Sequence, residues 1–259
     1  MATFPPAYQP LKVKSGPADI DYARTCSGTV TIAATTALTG GTVGAAATKF
    51  LSELLPGQTV VVGGVERIID TITDDHTAAV TVAFTATIST GVAFDAYYNL
   101  GLTKDGFKWT VNNKSFEVDT DQLDVVNEYL IGRKLGITMN LAQWDTQNVS
   151  IAFPGDLPYI PGASSTAPGL ARITPSIGSD SLALSHRLKI IPRSGANGTR
   201  TTDVGEIVSF WLVGPSWGEA QTIEYKKGAQ RVLTANLRVW PDSTHRNMFG
   251  FVGDFSLDA

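Results

Sequence analysis

The sequence predicts a mainly β protein, and three observations predict it. Phe107, Trp109 and Val111 fall two apart, Phe116 and Val118 follow, and Leu135, Ile137, Met139 and Leu141 repeat the spacing. A period of two describes strands with one buried and one polar face. Thr, Val and Ile are frequent, with 25 Gly and 13 Pro to turn the chain. No strong helical period stands out in the last third, where short alternating runs return. With 259 residues, 43% hydrophobic and 17% charged, the chain can bury a sizeable core and belongs with globular sequences.

The formal net charge of −4 argues against a protein that grips nucleic acid through a basic surface. It leaves room for one past which nucleic acid slides. A single cysteine, Cys26, excludes an internal disulfide framework and a multi-cysteine metal site, and reads as a small apolar residue near a strand. The opening residues MATFPPAYQPLKVKSG lack the apolar core of a signal peptide. No apolar run approaches the ~20 residues of a membrane helix. The expectation is a protein made and used in a cytoplasm, without export.

Pro5, Pro6 and Pro10 punctuate an arm that can extend but cannot join the middle of a sheet. It reads equally as a terminus packed on its own domain or as an arm reaching a neighbouring subunit. Residues 19–22 alternate. At Thr25 the composition shifts, and 26–97 carries only Lys49 and Arg67 as cations. Short strands are expected at 28–32, 58–62, 65–72 and 78–87, with turns at Pro56-Gly57, Gly63-Gly64 and Asp74-Asp75. Ala47, Phe50, Leu51 and Leu54 share a helical face, which predicts a short helix over 46–54. Removing 26–96 would join ADIDYA to DAYYNLGLTKDGF directly. That is the pattern of a small β-domain, 26–96, inserted into a larger discontinuous one, 1–25 plus 97–259, since a compact module's ends can lie close together.

Beyond that stretch, Lys104-Asp105-Gly106 predicts a reversal of direction. Two amphipathic strands follow, joined by a polar, acidic connection over TDQLDVVNEYLIG and a turn at Ile131-Gly132-Arg133. This hairpin unit looks built to display something to a partner. Pro and Gly throughout 149–181 predict an extended, exposed connection. The last third predicts strands around 184–192, 207–213, 221–225 and 232–240, a turn at Asp242, and a short helix near 204–210 or after Pro241. Trp211, Trp217 and Trp240 read as core or interface fillers.

These residues also carry a resemblance. A T-x-DGF turn at 102–107 leads to F-E-V-D-x-D-Q at 116–122, V-x-E-x-L-x-G-R at 126–133, and an alternating strand ending at Leu141 and Ala142. Between 184 and 254 come L-x-I-I-P-R, G-E-I-V-S-F-W, and L-R-V-W-P-D followed by F-G. In this order the motifs resemble those of tail tube (major tail) proteins of long-tailed bacteriophages. More loosely, 26–96 resembles a small β-module that recurs in phage virion proteins. The resemblance implies a tail-tube-like β-sandwich or barrel with a short helix, plus the inserted β-domain on the outer surface. It implies hexameric rings of this chain, whose hairpins join into one barrel around a channel and whose rings stack into a tube. Further implied partners are a terminator, a tape measure and distal tail proteins. Genomic DNA would pass through the lumen without specific binding, and no membrane is involved. The implied location is the virion tail, assembled in the host cytoplasm. Phe107, Trp109, Val111, Phe116, Val118, Leu135, Ile137, Met139 and Leu141 are the expected inter-subunit barrel residues. Glu117, Asp119, Asp121 and Asp124 are the expected lumen or rim acids.

No constellation for catalysis stands out, so no catalytic, cofactor or metal residue is expected. His76, His186 and His245 lie far apart, without ligand spacing. Asp119, Asp121 and Asp124 fail the EF-hand pattern, with Asp124 at the glycine position and Leu130 where Glu belongs. Gly40-Gly41 and Gly63-Gly64 lack the Lys-Ser/Thr of a phosphate loop. Two other classes stay open: another tail structural protein (terminator, hub or fibre-attached), and a host- or carbohydrate-binding β module. Exposed aromatics in 26–97 would mark the latter.

Overall fold

Among the described residues, alternating apolar and polar positions build one antiparallel sheet of fifteen strands, so the protein is mainly β. The computed structural model describes residues 18–101, 103–120, 123–142, 146–152, 170, 178–193, 199–201, 203–218, 220, 222–224 and 232–253. The strands are β1 (Ala18–Thr25), β2 (Val30–Ile32), β3 (Ala37–Gly40), β4 (Thr59–Val62), β5 (Val65–Asp74), β6 (Thr77–Val80), β7 (Ile88–Val92) and β8 (Phe94–Asn99). They continue as β9 (Thr103–Thr120), β10 (Leu123–Leu141), β11 (His186–Pro192), β12 (Val208–Pro215), β13 (Thr222–Glu224), β14 (Val232–Trp240) and β15 (Gly250–Val252). Among the described residues two short α-helices, α1 (Phe50–Glu53) and α2 (Thr146–Ala152), and three single-turn 3-10 helices accompany them. Edge to edge the order is β7-β2-β3-β6-β5-β4-β8-β1-β11-β12-β14-β10-β9, with β13 beside β14 and β15 beside β12.

Burial falls into two main clusters. One draws on Ile20, Tyr22 and Leu100, then on β10, α2, β11, β12 and β14. The other lies wholly between Cys26 and Ala96, around Phe50, Leu38 and Phe94. The ends of this second stretch meet: Thr25 pairs with Asp95, and the Cys26 N–H donates to the Phe94 carbonyl at 3.0 Å. It is nevertheless no loosely tethered appendage. β4 pairs with β8, β8 pairs with β1, and Ala23, Val61 and Tyr97 pack together across the join.

Several local expectations are corrected. The chain does not reverse at Lys104-Asp105-Gly106, because β9 runs through it. Leu141 pairs with Thr103 while Met139 pairs with Phe107, so the extra residues bulge out of β9, and Gly106 takes φ +75°. The turn expected at Ile131-Gly132-Arg133 is likewise a bulge inside β10, between Leu130↔Ser115 and Gly132↔Lys114. The expected acidic connection is mostly strand, since Thr120 pairs with Leu123 and closes the hairpin there. Glycine permits a positive φ or a local kink in a turn and in a bulge alike, which makes the two look the same in sequence. At Gly63-Gly64 the turn expectation holds: both take positive φ and β4 reverses into β5.

The helix expected at 46–54 shrinks to α1. Ahead of it, Thr48 donates its hydroxyl to the Asp75 carbonyl at 2.6 Å. The strand expected at 78–87 ends at Val80, after which the chain turns so that Phe84 buries its ring. The Arg67 guanidinium lies over that ring, 5.4 Å from its centroid. Residues 149–152 are helical in α2 rather than extended, and most of the connection beyond them lies outside the described residues.

Candidate assembly interface

The β9–β10 hairpin is two unlike halves. In the proximal half Val111, Trp109 and Phe107 pair with Leu135, Ile137 and Met139. There β10 also pairs with β14, from Leu135↔Val239 to Leu141↔Leu233. Leu135, Ile137, Met139 and Leu141 are therefore hydrogen-bonded on both sides, and their side chains are buried in the protomer's own core. Pairing with another copy there is left to the outer edge of β9, which ends the sheet among the described residues. Phe107 packs at the margin of the same core, and Trp109 meets Phe210 edge-on with centroids 5.7 Å apart.

The distal half leaves the sheet. Residues 123–134 pair only with β9 among the described residues. Twelve residues at about 3.3 Å each reach roughly 40 Å. Along β9 the apolar positions change face on the way, from odd numbers (Phe107, Trp109, Val111) to even (Phe116). Phe116 is 58% exposed and pairs with Tyr129, 54% exposed; Leu130 and Ile131 are 54% and 56% exposed. Glu117 sits directly opposite Glu128, so like charges face each other across the strands. Val118 and Asp119 lie in β9 and Asp124 in β10, while Asp121 falls outside the described residues.

The sheet face opposite the larger core carries charge and aromatic rings. Its main feature escaped the sequence reading. Asp19, 2% exposed, accepts from Arg193 Nε at 2.8 Å and from Arg200 Nε at 2.6 Å. Arg200 also forks onto both oxygens of Asp21, at 2.8 Å each. Burial pushes Asp19 up, but the two guanidiniums more than offset it and hold the carboxyl below its ordinary value. At Asp21 burial wins, and the carboxyl sits above its ordinary value despite Arg200. Farther across, Glu66 of β5 pairs with Lys189 of β11 and accepts from the Tyr97 hydroxyl at 3.1 Å. Beside them Trp211 stacks on His245, centroids 3.8 Å apart, in a cleft of about 330 Å³.

His186 stands half-buried and edge-on to Tyr22, and desolvation lowers its pKa. His245 pairs with Asp242 at 2.7 Å, and His76 with Thr48 at 3.2 Å. Burial, reinforced by Glu53, pushes the Cys26 thiol far up. Among the described residues no group of three His, Cys, Asp or Glu could hold a metal, and no helix is long and apolar enough to cross a membrane. No protein-family model matches the chain, and a search of the curated proteins finds none that matches.

Proposed function

We propose that this chain is a tail tube protein of long-tailed bacteriophages, a structural virion protein whose hexameric rings stack around a DNA-conducting channel. The observation that carries the reading is the distal hairpin. A two-stranded ribbon alone in water is marginally stable at best, and this one exposes Phe116, Tyr129, Leu130 and Ile131. Its outer backbone edges are unpaired among the described residues, which makes them templates for another chain. Hairpins joined around a ring bury that surface and remove those edges. A head-to-tail contact that closes by rotation gives a ring, and a stacking contact that does not close gives a tube.

The motifs shared with the family fall on this hairpin and on β11, β12 and β14. Glu117, Asp119, Asp121 and Asp124 belong to the lumen or its rim, where negative charge keeps DNA from adhering. The 26–96 module projects from the outer wall. Negative-stain microscopy of purified protein over a range of concentrations tests the reading. Long hollow tubes with a regular axial repeat support it. Rings that never stack point instead to a tail terminator, and a monomer at every concentration overturns it.

A further inference from the structure

We propose that the acidic distal half of the hairpin docks on the basic back of the sheet, at the hairpin base, in a neighbouring copy. The inference rests on the tail tube reading and names the surface that receives the hairpin. Charge along the ribbon is segregated. Its outer part, between 115 and 132, holds Glu117, Asp119, Asp121, Asp124 and Glu128 with no Lys or Arg, while Lys114, Arg133 and Lys134 stand where the ribbon leaves the sheet. The base carries the opposite sign. Register fixes the faces: Leu135, Ile137 and Met139 turn to the core, so Lys108, Lys134 and Arg238 stand on the back.

There a groove of about 470 Å³ runs beside Lys134, Asp180, Ser181, Trp217, Arg238 and Trp240, its two cations outnumbering its one carboxylate. Within its lining the Arg238 guanidinium lies 3.9 Å from the Trp240 ring centroid. Its rim offers an apolar contact in Trp217, 52% exposed. Following the strand alternation outward, Glu117, Glu128 and Leu130 lie on the side that faces the protomer's own core at the base. Past the edge of the sheet that side has no core beneath it.

A ribbon of two paired strands cannot fold back onto its own base, so the occupant is a second copy. Laid on the neighbour's back, Glu117 at the rim of the lumen and Glu128 opposite it meet Lys134 and Arg238, and Leu130 meets Trp217, while Phe116 and Tyr129 on the ribbon's other face remain for the contact between hairpins. The cations relieve the repulsion between the two glutamates. The contact is heterologous, so each copy offers one hairpin and one groove and assembly continues from copy to copy.

The test uses two full-length variants. Glu117→Lys with Glu128→Lys makes the hairpin basic. Lys134→Glu, at an exposed position that lines the groove, leaves its acids outnumbering Arg238. Thermal melts first establish that each variant folds as the wild type does. Expected by light scattering and negative stain is that the critical concentration for assembly rises at least tenfold for each variant alone. An equimolar mixture assembles again, because each reversed surface then finds its complement. Folded variants that assemble like the wild type overturn the inference and leave the tail tube reading standing. A mixture that stays unassembled overturns it as well. A wild-type protein that never assembles removes both.

Discussion

Arg200 joins Asp19 to Asp21, and two nearly buried carboxylates depend on it together with Arg193. Removing one partner of a buried ion pair typically costs about 3–5 kcal/mol. The Arg200 side chain is 41% exposed, so solvent screens part of the interaction. Arg200→Ala is expected to cost about 2–3 kcal/mol, read as a lower urea midpoint at an unchanged slope. The pH dependence follows from the two directions. A carboxyl lowered in the fold, as Asp19 is, adds stability that is present above its ordinary pKa and lost as pH falls through the folded value. Asp21, raised, takes its proton first on acidification and does not add to that acid loss. In Asp19→Asn the stability measured from pH 5 down to pH 2 therefore falls less steeply than in the wild type. An identical slope would show that Asp19 is not the group responsible.

At the scale of elements, the two halves of the hairpin predict opposite phenotypes. Ile137 is 1% exposed between β9 and β14. Ile137→Ala leaves a cavity in the protomer core and is expected to cost about 2–4 kcal/mol in thermal or urea unfolding. Phe116→Ser with Tyr129→Ser removes rings that the protomer does not bury. Its stability is expected to stay within about 0.5 kcal/mol of wild type, while tubes disappear from negative-stain fields. A pair of variants that loses stability and assembly together would argue against the division. The sequence made the alternation of this hairpin plain, and it placed the strand of Val232–Trp240 at its observed bounds. It misplaced the hairpin's turn because Asp105-Gly106 and Ile131-Gly132 sit in bulges. A residue pair that favours a turn also favours an extra residue in a ladder, and only the partner strand decides between them.

For the whole molecule, the adjacent ends of the 26–96 stretch allow a direct experiment. Thr25 and Asp95 are paired neighbours, so a three-residue Gly-rich linker can replace 27–93 while keeping β1 against β8. The shortened protein is expected to fold and still form tubes, with a lower melting temperature. The loss arises because Ala23 and Tyr97 no longer pack on Val61, and Lys189 loses Glu66. Narrower tubes in projection would accord with a module on the outer wall. Failure of the shortened chain to assemble, while still folded, would place the module in the contacts between copies.

What the sequence determined by itself was local. Period-two patterning fixed most strands, the near-absence of Lys and Arg set 26–97 apart, and the run of acids without a cation marked the distal hairpin. Each of these is carried by neighbours along the chain, which is why one sequence suffices to read it. Only the tertiary structure decided which side of each strand meets the core, that both edges of Leu135–Leu141 are occupied, and that Arg193 and Arg200 reach Asp19 across more than 170 residues of sequence. Those depend on which strands become neighbours, and pairing between distant segments leaves no local periodicity to read.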